Sequence, residues 1–572
     1  MIKVKFLFCA SLVLASMLCG VHGASGTEPL DEGWKKLSLR EKIGQTVVMS
    51  ASEVVANKTD EQLAAYLKKY PVGGMYDGEE VIHFGVMPVS QIADRISRVR
   101  KASSVPLLIC GDMEAGAGAN AVGLTWITKL PGVGATGSKS LAYDFGRATA
   151  LEARSIGFNW LLAPVADLVQ NPFNYLVADR SISDDPRVAT PLLISVMRGY
   201  QDSDIAATAK HFPGDGVDYR NQHLTTSCNG LTRTEWNKNH GAVFQALINN
   251  GLMSIMAGHI SLPCYQSDSE FVQGRYLPAT LSHDLVTKLL KQDMGFKGVV
   301  VSDAVIMGGF TKFYGDDACV RSVAAGVDML LWPPERYFDD MERAIQSGRV
   351  PMARLDDAVQ RVWRMKQQLG LLNPDSPTAR PMSDDDRNFV RKTAQEVAEK
   401  SITLVRDRNQ LLPLNPLSVR RVAIVPISNS EKWMKRATDH LQAALSARGI
   451  TNSIHQGLWL EDLSKLAAEN DLVIYLVGNV PLQVWSGPAQ KDTWTCGTAG
   501  QDKTVVVSLD NPFHSDEYMA SPVYINAYET SDVVIDALVR GLFGEITFTG
   551  KSQVNLNMFR KFDLDHKAFR TQ

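Results

Sequence analysis

The sequence has few cysteines for its length, and this bounds its chemistry. It carries 7 cysteines in 572 residues. Those beyond the N-terminal segment are far apart, at Cys110, Cys228, Cys264, Cys319 and Cys496. Such spacing does not resemble a disulfide framework, and no CxxC pair offers a zinc site. We therefore expect several buried thiols and at most two disulfide bridges.

The chain also lacks a charge excess, internal repeats and low-complexity tracts. It has 59 Lys and Arg against 62 Asp and Glu, a formal net charge of −3. Without a basic surplus, nucleic acid is not an expected partner. A hydrophobic content of 45% and a charged content of 21% are typical of a globular enzyme and exclude a mainly disordered chain. The length exceeds what one core supports, so two domains are expected.

The apolar run at the N-terminus is too short to cross a membrane. Two lysines precede the run 6–18, and residues 21–23 include small side chains near a cleavage point. This pattern predicts a signal peptide over residues 1–23, and so an exported protein, periplasmic or extracellular, with no stable membrane span. Cys19 raises the alternative of a lipid-anchored protein, which the bulky Leu18 before it disfavours.

From residue 36 to residue 370, short apolar runs alternate with amphipathic segments. Helical patterns are clear over 141–156, 191–201 and 281–292. The alternation contains eight strand–helix units, the count of a (β/α)₈ barrel of the usual size. The predicted strands are 46–49, 73–75, 107–109, 159–163, 206–209, 252–257, 298–302 and 329–332.

A second, smaller domain is predicted after the barrel. The segment 371–394, which contains LLNPDSPTARPMSDDD, is rich in proline and acids and is predicted to be a linker. Beyond it, predicted strands at 421–426, 472–477, 504–508 and 523–527 alternate with helical segments. We therefore expect an α/β protein, a (β/α)₈ barrel followed by a smaller α/β sandwich at 395–572.

Candidate reactive residues follow the predicted barrel strands, because such barrels place reactive groups at the carboxyl ends of their strands. The segment AATAKHFPGDGVDYRNQHLTT passes from an apolar strand into Lys210 and His211, and then into a polar loop. The segment FKGVVVSDAVIM is a continuous β-branched run that ends in Asp303, as in a buried parallel strand. The polar candidates are Asp112, Glu114, Asp167, Lys210, His211, His259, Asp303 and Asp328.

Four segments together resemble glycoside hydrolase family 3, closest to its β-N-acetylglucosaminidase branch: KHFPGDG, ADRSISDDP, VVVSDAVIM and AGVDMLLWPP. The segments ITLVRDRNQLLPL and LFGEITFTGK are similar to the start and end of that family's second domain. The resemblance covers nearly the whole mature chain. It implies a retaining exo-β-glycosidase, β-N-acetylhexosaminidase-like, that acts on cell-wall or chitin-type fragments. It also implies a carbohydrate substrate and neither a metal nor another cofactor, and it leaves the oligomeric state open.

The resemblance also implies roles for single residues. Asp303 matches the nucleophile, for which an ionised carboxylate is needed. His223 matches the loop histidine that serves as acid/base, a task suited to an unperturbed pKa of about 6.5. Charged side chains that bond strongly to hydroxyl groups match the sugar ligands, namely Asp112, Arg180, Lys210 and His211.

The loop departs from the family pattern at two positions. The branch has an aspartate two residues before the loop histidine, where this chain has Asn221, and Asp215 replaces the histidine of PGHG. In serine proteases, Asp to Asn at the orienting position costs about 10⁴ in rate. Asp215 or Asp218, in the same loop, could supply that support. Otherwise a catalytically weakened, sugar-binding homologue is the alternative.

Other interpretations stay open at this stage. A Ser-Asp dipeptide often caps a helix, and Lys210 could form a Schiff base. His211, Asp167 and His259 could be structural. A β-glucosidase or xylosidase is the alternative within the family, and phosphate could replace water because a neutral histidine would not repel it. Three aromatics could line a sugar subsite, although packing is the simpler expectation: Tyr219, Trp332 and Trp485.

Overall fold

The computed structural model describes residues 29–78, 87–311, 314–377, 379–428, 431–478 and 501–556. The predicted signal peptide, Trp485 and Cys496 lie outside these residues. Within the described part of the chain, no helix combines the length and the apolar character needed to span a membrane. The four cysteines that the structure describes are free thiols, two of them buried and two partly buried.

Eight parallel strands close into a barrel in chain order, and the last pairs with the first between Leu330 and Val47. All eight predicted strands are confirmed, with ends displaced by a few residues. The strands are β1 Val47–Ser50, β2 Gly74–Tyr76, β3 Leu108–Gly111, β4 Trp160–Leu161, β5 Ala206–Phe212, β6 Ser254–Ala257, β7 Val299–Ala304 and β8 Met329–Leu331.

The barrel strands are mainly apolar up to their carboxyl ends because both of their faces are buried. Val48 and Val301 belong to a cluster that fills the barrel interior, whereas Val47 and Val300 pack in the layer shared with the helices. Trp160 fills the interior and donates from its indole nitrogen to the Thr208 hydroxyl at 2.6 Å. A strand covered on both sides loses the alternation of polar and apolar residues, which explains the continuous runs in the sequence.

Helices connect the strands. The predicted segments 141–156, 191–201 and 281–292 are all helical. The helices of the barrel domain are Leu39–Gly44, Ala51–Val55, Asp60–Lys69, Val89–Ala102, Leu130–Ala135, Lys139–Ser155, Pro186–Gln201, Arg233–Lys238, His240–Asn249, the π-helix Asp284–Asp293, Gly308–Thr311, Ala318–Ala325, Tyr337–Gln346 and Met352–Gln368.

Two register shifts fall at the carboxyl ends of the barrel strands. The pairing of β5 with β6 breaks between Ala209 and Phe212, and the pairing of β7 with β8 breaks between Val301 and Ala304. The residues inside these breaks are Lys210, His211, Ser302 and Asp303. Irregular pairing re-aims side chains near functional sites, so both shifts turn candidate residues toward the mouth of the barrel.

The second domain is a six-stranded sheet with helices on both faces, as predicted. Its strands are β9 Thr403–Asp407, β10 Arg421–Ile427, β11 Thr451–Ile454, β12 Leu472–Val477, β13 Thr504–Ser508 and β14 Val523–Asn526. Their spatial order is β9-β14-β13-β12-β10-β11, with only β9 antiparallel to its neighbour. The two edge strands, β9 and β11, were not predicted. The helices are Asp384–Ser401, Glu431–Ser446, Leu460–Glu469 and Asp532–Leu542.

Helix Asp384–Ser401 begins inside the segment predicted as a linker, 371–394. Ser383 caps it, accepting a bond from the Asp386 amide at 3.1 Å while Asp386 accepts one from the Ser383 amide at 3.0 Å. The acids of SDDD therefore form the first turn of a helix, where negative charge is favourable. The second half of the predicted linker is helical. The other domain boundaries stay predictions.

Candidate active site

A cavity of about 610 Å³ lies at the carboxyl end of the barrel. Six of the site residues predicted from the sequence line it: Asp112, Arg180, Lys210, His211, His223 and Asp303. They come from β5 and β7 and from the loops that follow β3, β4 and β5. The structure thus brings the predicted nucleophile, acid/base and sugar ligands to one place.

Asp303 lies near the end of β7, with 13% of its side chain exposed. One carboxylate oxygen, Oδ1, accepts a bond from the Ala304 amide at 2.8 Å, and Oδ2 lies 4.0 Å from Nε2 of His211. Burial alone would raise the pKa of Asp303, but the three histidines around it and the Ala304 amide outweigh burial and lower it. Asp303 is therefore ionised at neutral pH.

The Ser-Asp dipeptide does not act as a helix cap. Ser302 and Asp303 both lie inside β7, and the Ser302 hydroxyl accepts a bond from the Leu331 amide on β8 at 3.0 Å. The serine therefore ties two barrel strands together, and the aspartate faces the cavity.

Four charged side chains that line the cavity form an ion-pair network. Lys210 Nζ lies 2.6 Å from Asp112 Oδ1 and 2.7 Å from Glu114 Oε1. Arg180 binds Glu114 through Nε at 2.8 Å and Nη2 at 2.6 Å. Burial lowers the pKa of Lys210, but the two carboxylates raise it more, so it stays an ammonium. A Schiff-base lysine needs a neutral amine, and this geometry disfavours that interpretation.

Asp167 orients the imidazole of His211. It is fully buried and lies 2.6 Å from Nδ1 of His211, and it also accepts a bond from the His211 amide at 3.0 Å. Burial raises the pKa of Asp167, but the His211 contacts lower it more, so it is ionised and only accepts. Nδ1 of His211 is therefore the donor, and Nε2 is directed toward Asp303.

His223 stands over the cavity on the loop that follows β5. Its Nδ1 lies 2.7 Å from Asn221 Oδ1, which also accepts a bond from the His223 amide at 2.9 Å. Because an amide oxygen only accepts, we assign the ring proton to Nδ1 and the lone pair to Nε2. Desolvation by the surrounding protein lowers the pKa of His223, against the opposing charge of Asp303. At neutral pH the ring is therefore mostly neutral.

The loop of His223 packs directly on the segment that follows the nucleophile candidate. The Gly308 amide donates to the His223 carbonyl at 2.7 Å, and the Gly309 amide donates to the Gln222 carbonyl at 3.1 Å. A Cβ on Gly308 would lie 2.6 Å from the Leu224 carbonyl oxygen. Glycine is therefore required for this close approach, which holds the loop beside the cavity.

Asp215 and Asp218 do not support the loop histidine. Asp215 is buried under the loop and accepts a bond from the Asn174 side chain at 2.7 Å, and burial raises its pKa to about 7. Asp218 accepts a bond from Arg220 Nε at 2.6 Å. In the part of the chain that the structure describes, neither carboxylate bonds to the His223 ring.

Two of the candidates from the barrel rim, His259 and Asp328, bond to other parts of the protein and have structural roles. His259 Nε2 lies 3.0 Å from the Ala304 carbonyl, so it braces the backbone beside Asp303. The expectation that Asp328 follows a strand is wrong, because it precedes β8 and is fully buried. It bonds to Lys291 at 2.7 Å and Arg354 at 2.6 Å.

Within the described ranges, no three His, Cys, Asp or Glu side chains are grouped to hold a metal ion.

An aromatic wall completes the barrel side of the cavity. Trp332 packs edge-on against Tyr76, with ring centroids 5.1 Å apart, and both line the cavity. Trp332 has φ of 61°, an uncommon conformation for a bulky residue. The Tyr76 hydroxyl donates to Asp112 Oδ2 at 2.7 Å. Of the described aromatics considered from the sequence, Trp332 faces the cavity, whereas Tyr219 is 69% exposed.

The second domain also lines the cavity, which the sequence analysis did not foresee. Its contribution includes two acids, Asp510 and Glu529. Asp510 follows β13 and Glu529 follows β14, so the rule that pointed to acids past the barrel strands would also have found these. Glu114 had no assigned role, although its position two residues after Asp112 places both carboxylates on Lys210.

Comparison with known proteins gives a consistent family. Residues 38–365 match the family model "Glycosyl hydrolase family 3 N terminal domain". The beta-N-acetylglucosaminidase/beta-glucosidase of Cellulomonas fimi is 29% identical over 554 residues, 90% of this chain and 93% of that protein. The beta-hexosaminidase A of Pseudoalteromonas piscicida is 28% identical over 62% of each chain.

Two solved structures match over nearly the whole chain. The beta-glucoside phosphorylase BglX, bound to 2FGlc, has a TM-score of 0.80 and 28% identity, covering 92% of this chain and 96% of that one. A beta-N-acetylglucosaminidase from Paenibacillus sp. str. FPU-7 has a TM-score of 0.78 and 25% identity, covering 91% of this chain and 99% of that one. The barrel and the second domain thus occur together in both.

Proposed function

We propose that this protein is an exported, retaining exo-β-N-acetylglucosaminidase that acts on cell-wall or chitin-type fragments. The starting point is that the chain belongs to glycosyl hydrolase family 3 and is a glycoside hydrolase. The observation that carries the proposal is the meeting of Asp303, His223 and the Lys210 network in one cavity. Relatives named as a beta-N-acetylglucosaminidase/beta-glucosidase and a beta-hexosaminidase support the sugar. Export rests on the predicted signal peptide, residues 1–23.

In the first step, Asp303 acts as the nucleophile. Its ionised carboxylate attacks the anomeric carbon, a bond forms between that carbon and the carboxylate oxygen, and the glycosidic bond breaks. His223 donates the proton from Nε2 to the leaving oxygen. This step needs the imidazolium form of His223. Because the pKa of His223 is lowered, little of that form is present, and the first step is the slow one for poor leaving groups.

In the second step, water releases the sugar. His223 has the lone pair on Nε2 and the proton on Nδ1, held by Asn221. Nε2 takes a proton from water as the water oxygen bonds to the anomeric carbon, and the bond to Asp303 breaks. Two inversions give net retention. A neutral histidine is the form that this step requires, so Asn221 impairs the second step less than the first.

The ion-pair network holds the sugar. Asp112 and Glu114 offer acceptors to sugar hydroxyls, and each is held in place by an ion pair with Lys210 or Arg180. His211 is held by Asp167 beside the nucleophile, with Nε2 directed toward the place of the sugar ring. Because these groups are bonded to one another before substrate arrives, little reorganisation accompanies binding.

The test is a trapping experiment with matched substrates. An aryl 2-deoxy-2-fluoro-β-glycoside should label the protein, and peptide mass spectrometry should find the sugar on Asp303. Release of aryl alcohol from the β-N-acetylglucosaminide, β-glucoside and β-xyloside then ranks the sugars and separates the β-glucosidase or xylosidase alternative. The control is Asp439→Asn, which changes an exposed carboxylate in the second domain. Labelling of a residue other than Asp303 would contradict the mechanism.

A second candidate is transfer of the sugar to phosphate. It is favoured by the neutral side chain of Asn221 on His223, which adds no negative charge to repel phosphate, and by the similarity to a beta-glucoside phosphorylase. The excess of carboxylates in the cavity opposes it. The assay is product analysis with and without inorganic phosphate: a glycosyl 1-phosphate would identify phosphorolysis. A weakened sugar-binding homologue would instead cleave only activated aryl glycosides.

A further inference from the structure

One side chain anchors the loop that carries His223. Within residues 217–225, all of which the structure describes, Gln222 is the one buried residue. Its neighbours in the loop include Tyr219, which is 69% exposed, and Leu224, which is 63% exposed. The loop buries no apolar side chain completely, so its position depends on the hydrogen bonds that it makes to the rest of the barrel domain.

Gln222 makes those bonds with both its side chain and its backbone. Its Oε1 accepts a bond from the His259 amide at 2.8 Å, and its carbonyl accepts one from the Gly309 amide at 3.1 Å. Nε2 lies 3.5 Å from Asp215 Oδ2, a long and therefore weak contact. A Cβ on Gly309 would lie 2.5 Å from the Gln222 carbonyl oxygen, so the backbones are in close contact. Gln222 is thus held against the segments that follow β6 and β7.

The same bonds continue to the nucleophile. The side chain of His259 lies 3.0 Å through Nε2 from the Ala304 carbonyl. A carbonyl oxygen only accepts, so Nε2 is the donor, and Nδ1 accepts a bond from the Thr280 hydroxyl at 2.9 Å. The Ala304 amide donates to Asp303 Oδ1 at 2.8 Å. Three hydrogen bonds in series therefore connect Gln222, the residue before His223, with the carboxylate of Asp303.

We propose that Gln222 is a positioning residue, which fixes the distance between the His223 ring and the Asp303 carboxylate so that the acid/base is in place before a sugar binds. Gln222 is fully buried, so it acts through His223 and not by contact with the sugar. A displacement of a catalytic group by about 1 Å can cost about 100-fold in rate. The inference rests on the proposed glycosidase function, because it assumes that His223 is the acid/base.

The experiment is the kinetics of Gln222→Met, which keeps the length of the side chain and removes the acceptor Oε1. On a disaccharide, whose leaving group needs a proton from His223, we expect kcat/KM to fall about 10- to 100-fold. On an aryl glycoside with a good leaving group, kcat/KM should stay within about 2-fold of wild type, because it reports the first step.

The second step on that aryl glycoside still needs His223 as a base. Its kcat and KM should therefore fall together in Gln222→Met, because the glycosyl-enzyme accumulates. A merely structural role would lower kcat/KM equally on both substrates. That result, or no loss on either substrate, would overturn the proposal.

Gln266→Met is the matched control. Gln266 is 8% exposed, and its Oε1 accepts a bond from the Leu262 amide at 2.8 Å, the length found for Gln222 and His259. Both variants should lower the melting temperature, but only Gln222→Met should separate the disaccharide from the aryl glycoside. If Gln222→Met does not fold, Gln222→Asn, which withdraws the acceptor by one methylene, enters the same comparison.

Amide hydrogen exchange tests the positioning without turnover. If wild type hydrolyses no aryl glycoside, the proposed function fails, but the loop can still be measured. The His223 and Leu224 amides are bonded to Asn221, each at 2.9 Å. By mass spectrometry, exchange of a peptide that covers residues 219–226 should be about 10-fold faster in Gln222→Met and unchanged in Gln266→Met, since one lost hydrogen bond corresponds to that factor. Unchanged exchange in Gln222→Met would overturn the inference.

Discussion

Restoring an aspartate at position 221 should make His223 a better general acid. The Asn221 oxygen accepts bonds from the His223 ring and amide, and an aspartate of the same shape can accept both. Asparagine is neutral, so it does little to stabilise the imidazolium. Desolvation already lowers the pKa of His223. The protonated fraction therefore falls as pH rises through a pKa below the ordinary value of about 6.5, and at neutral pH little imidazolium is present.

The size of the effect follows from the distance. Nδ1 of His223 lies 2.7 Å from the oxygen of residue 221. The ring is only partly desolvated, and the dielectric constant of water, the most strongly screened case, gives an attraction of about 1.5 kcal/mol between two unit charges at that distance. That corresponds to a rise of about one unit in the pKa of His223. When pH exceeds the pKa, one unit gives about 10-fold more imidazolium, and the rate of an acid-limited step should rise by about the same factor.

The assay is the pH profile of kcat/KM on a disaccharide with a poor leaving group. Asn221→Asp should move the alkaline limb up by about one pH unit and raise the rate at pH 7 by up to about 10-fold. An aryl glycoside with a good leaving group needs little protonation and should hardly change. Asn388→Asp, on an exposed helix, adds the same charge elsewhere and should shift neither profile. An alkaline limb that stays in place would mean that Asn221 does not tune the acid.

Three further predictions concern the site. Asp303→Ala should lower turnover by about 10⁴-fold or more while circular dichroism and sugar binding persist; substantial residual activity would exclude its role as nucleophile. Gly308→Ala should displace the His223 loop, because the new Cβ would lie 2.6 Å from the Leu224 carbonyl oxygen. We expect the variant to lose more kcat on disaccharides than on aryl glycosides. Equal losses on both substrates would argue against loop displacement. A chelator should not change activity, and loss restored by a divalent ion would contradict the metal-free mechanism.

The sequence allowed the barrel to be predicted because burial on both faces leaves a continuous apolar run. All eight strands were found in this way. The edge strands β9 and β11 were not predicted, because neither is buried on both faces. β11 in particular is partly exposed, and its sequence TNSI is mostly polar. Likewise, the acids of SDDD look like linker composition, although they form the first turn of helix Asp384–Ser401. Composition alone does not distinguish a solvated linker from the first turn of a helix.

The residues at the rim of the barrel could be predicted from the sequence because each directly follows or ends a predicted strand, which fixes its position. Asp303, Lys210 and His211 each adjoin a predicted strand, and the fold brings those ends together whatever the loops do. The direction of loop side chains is not local. Asp215 and Asp218 lie within eight residues of His223 in the sequence, yet they bond to Asn174 and Arg220.

The sequence by itself determined the eight strands, the family resemblance and the residue types at the strand ends. Only the tertiary structure decided that Asn221 is the partner of His223, and that Asp510 and Glu529 share a cavity with Asp303. The physical reason is that periodicity and chain geometry act over a few residues. The meeting of the two domains depends on packing between residues hundreds of positions apart, for which a single sequence carries no local signal.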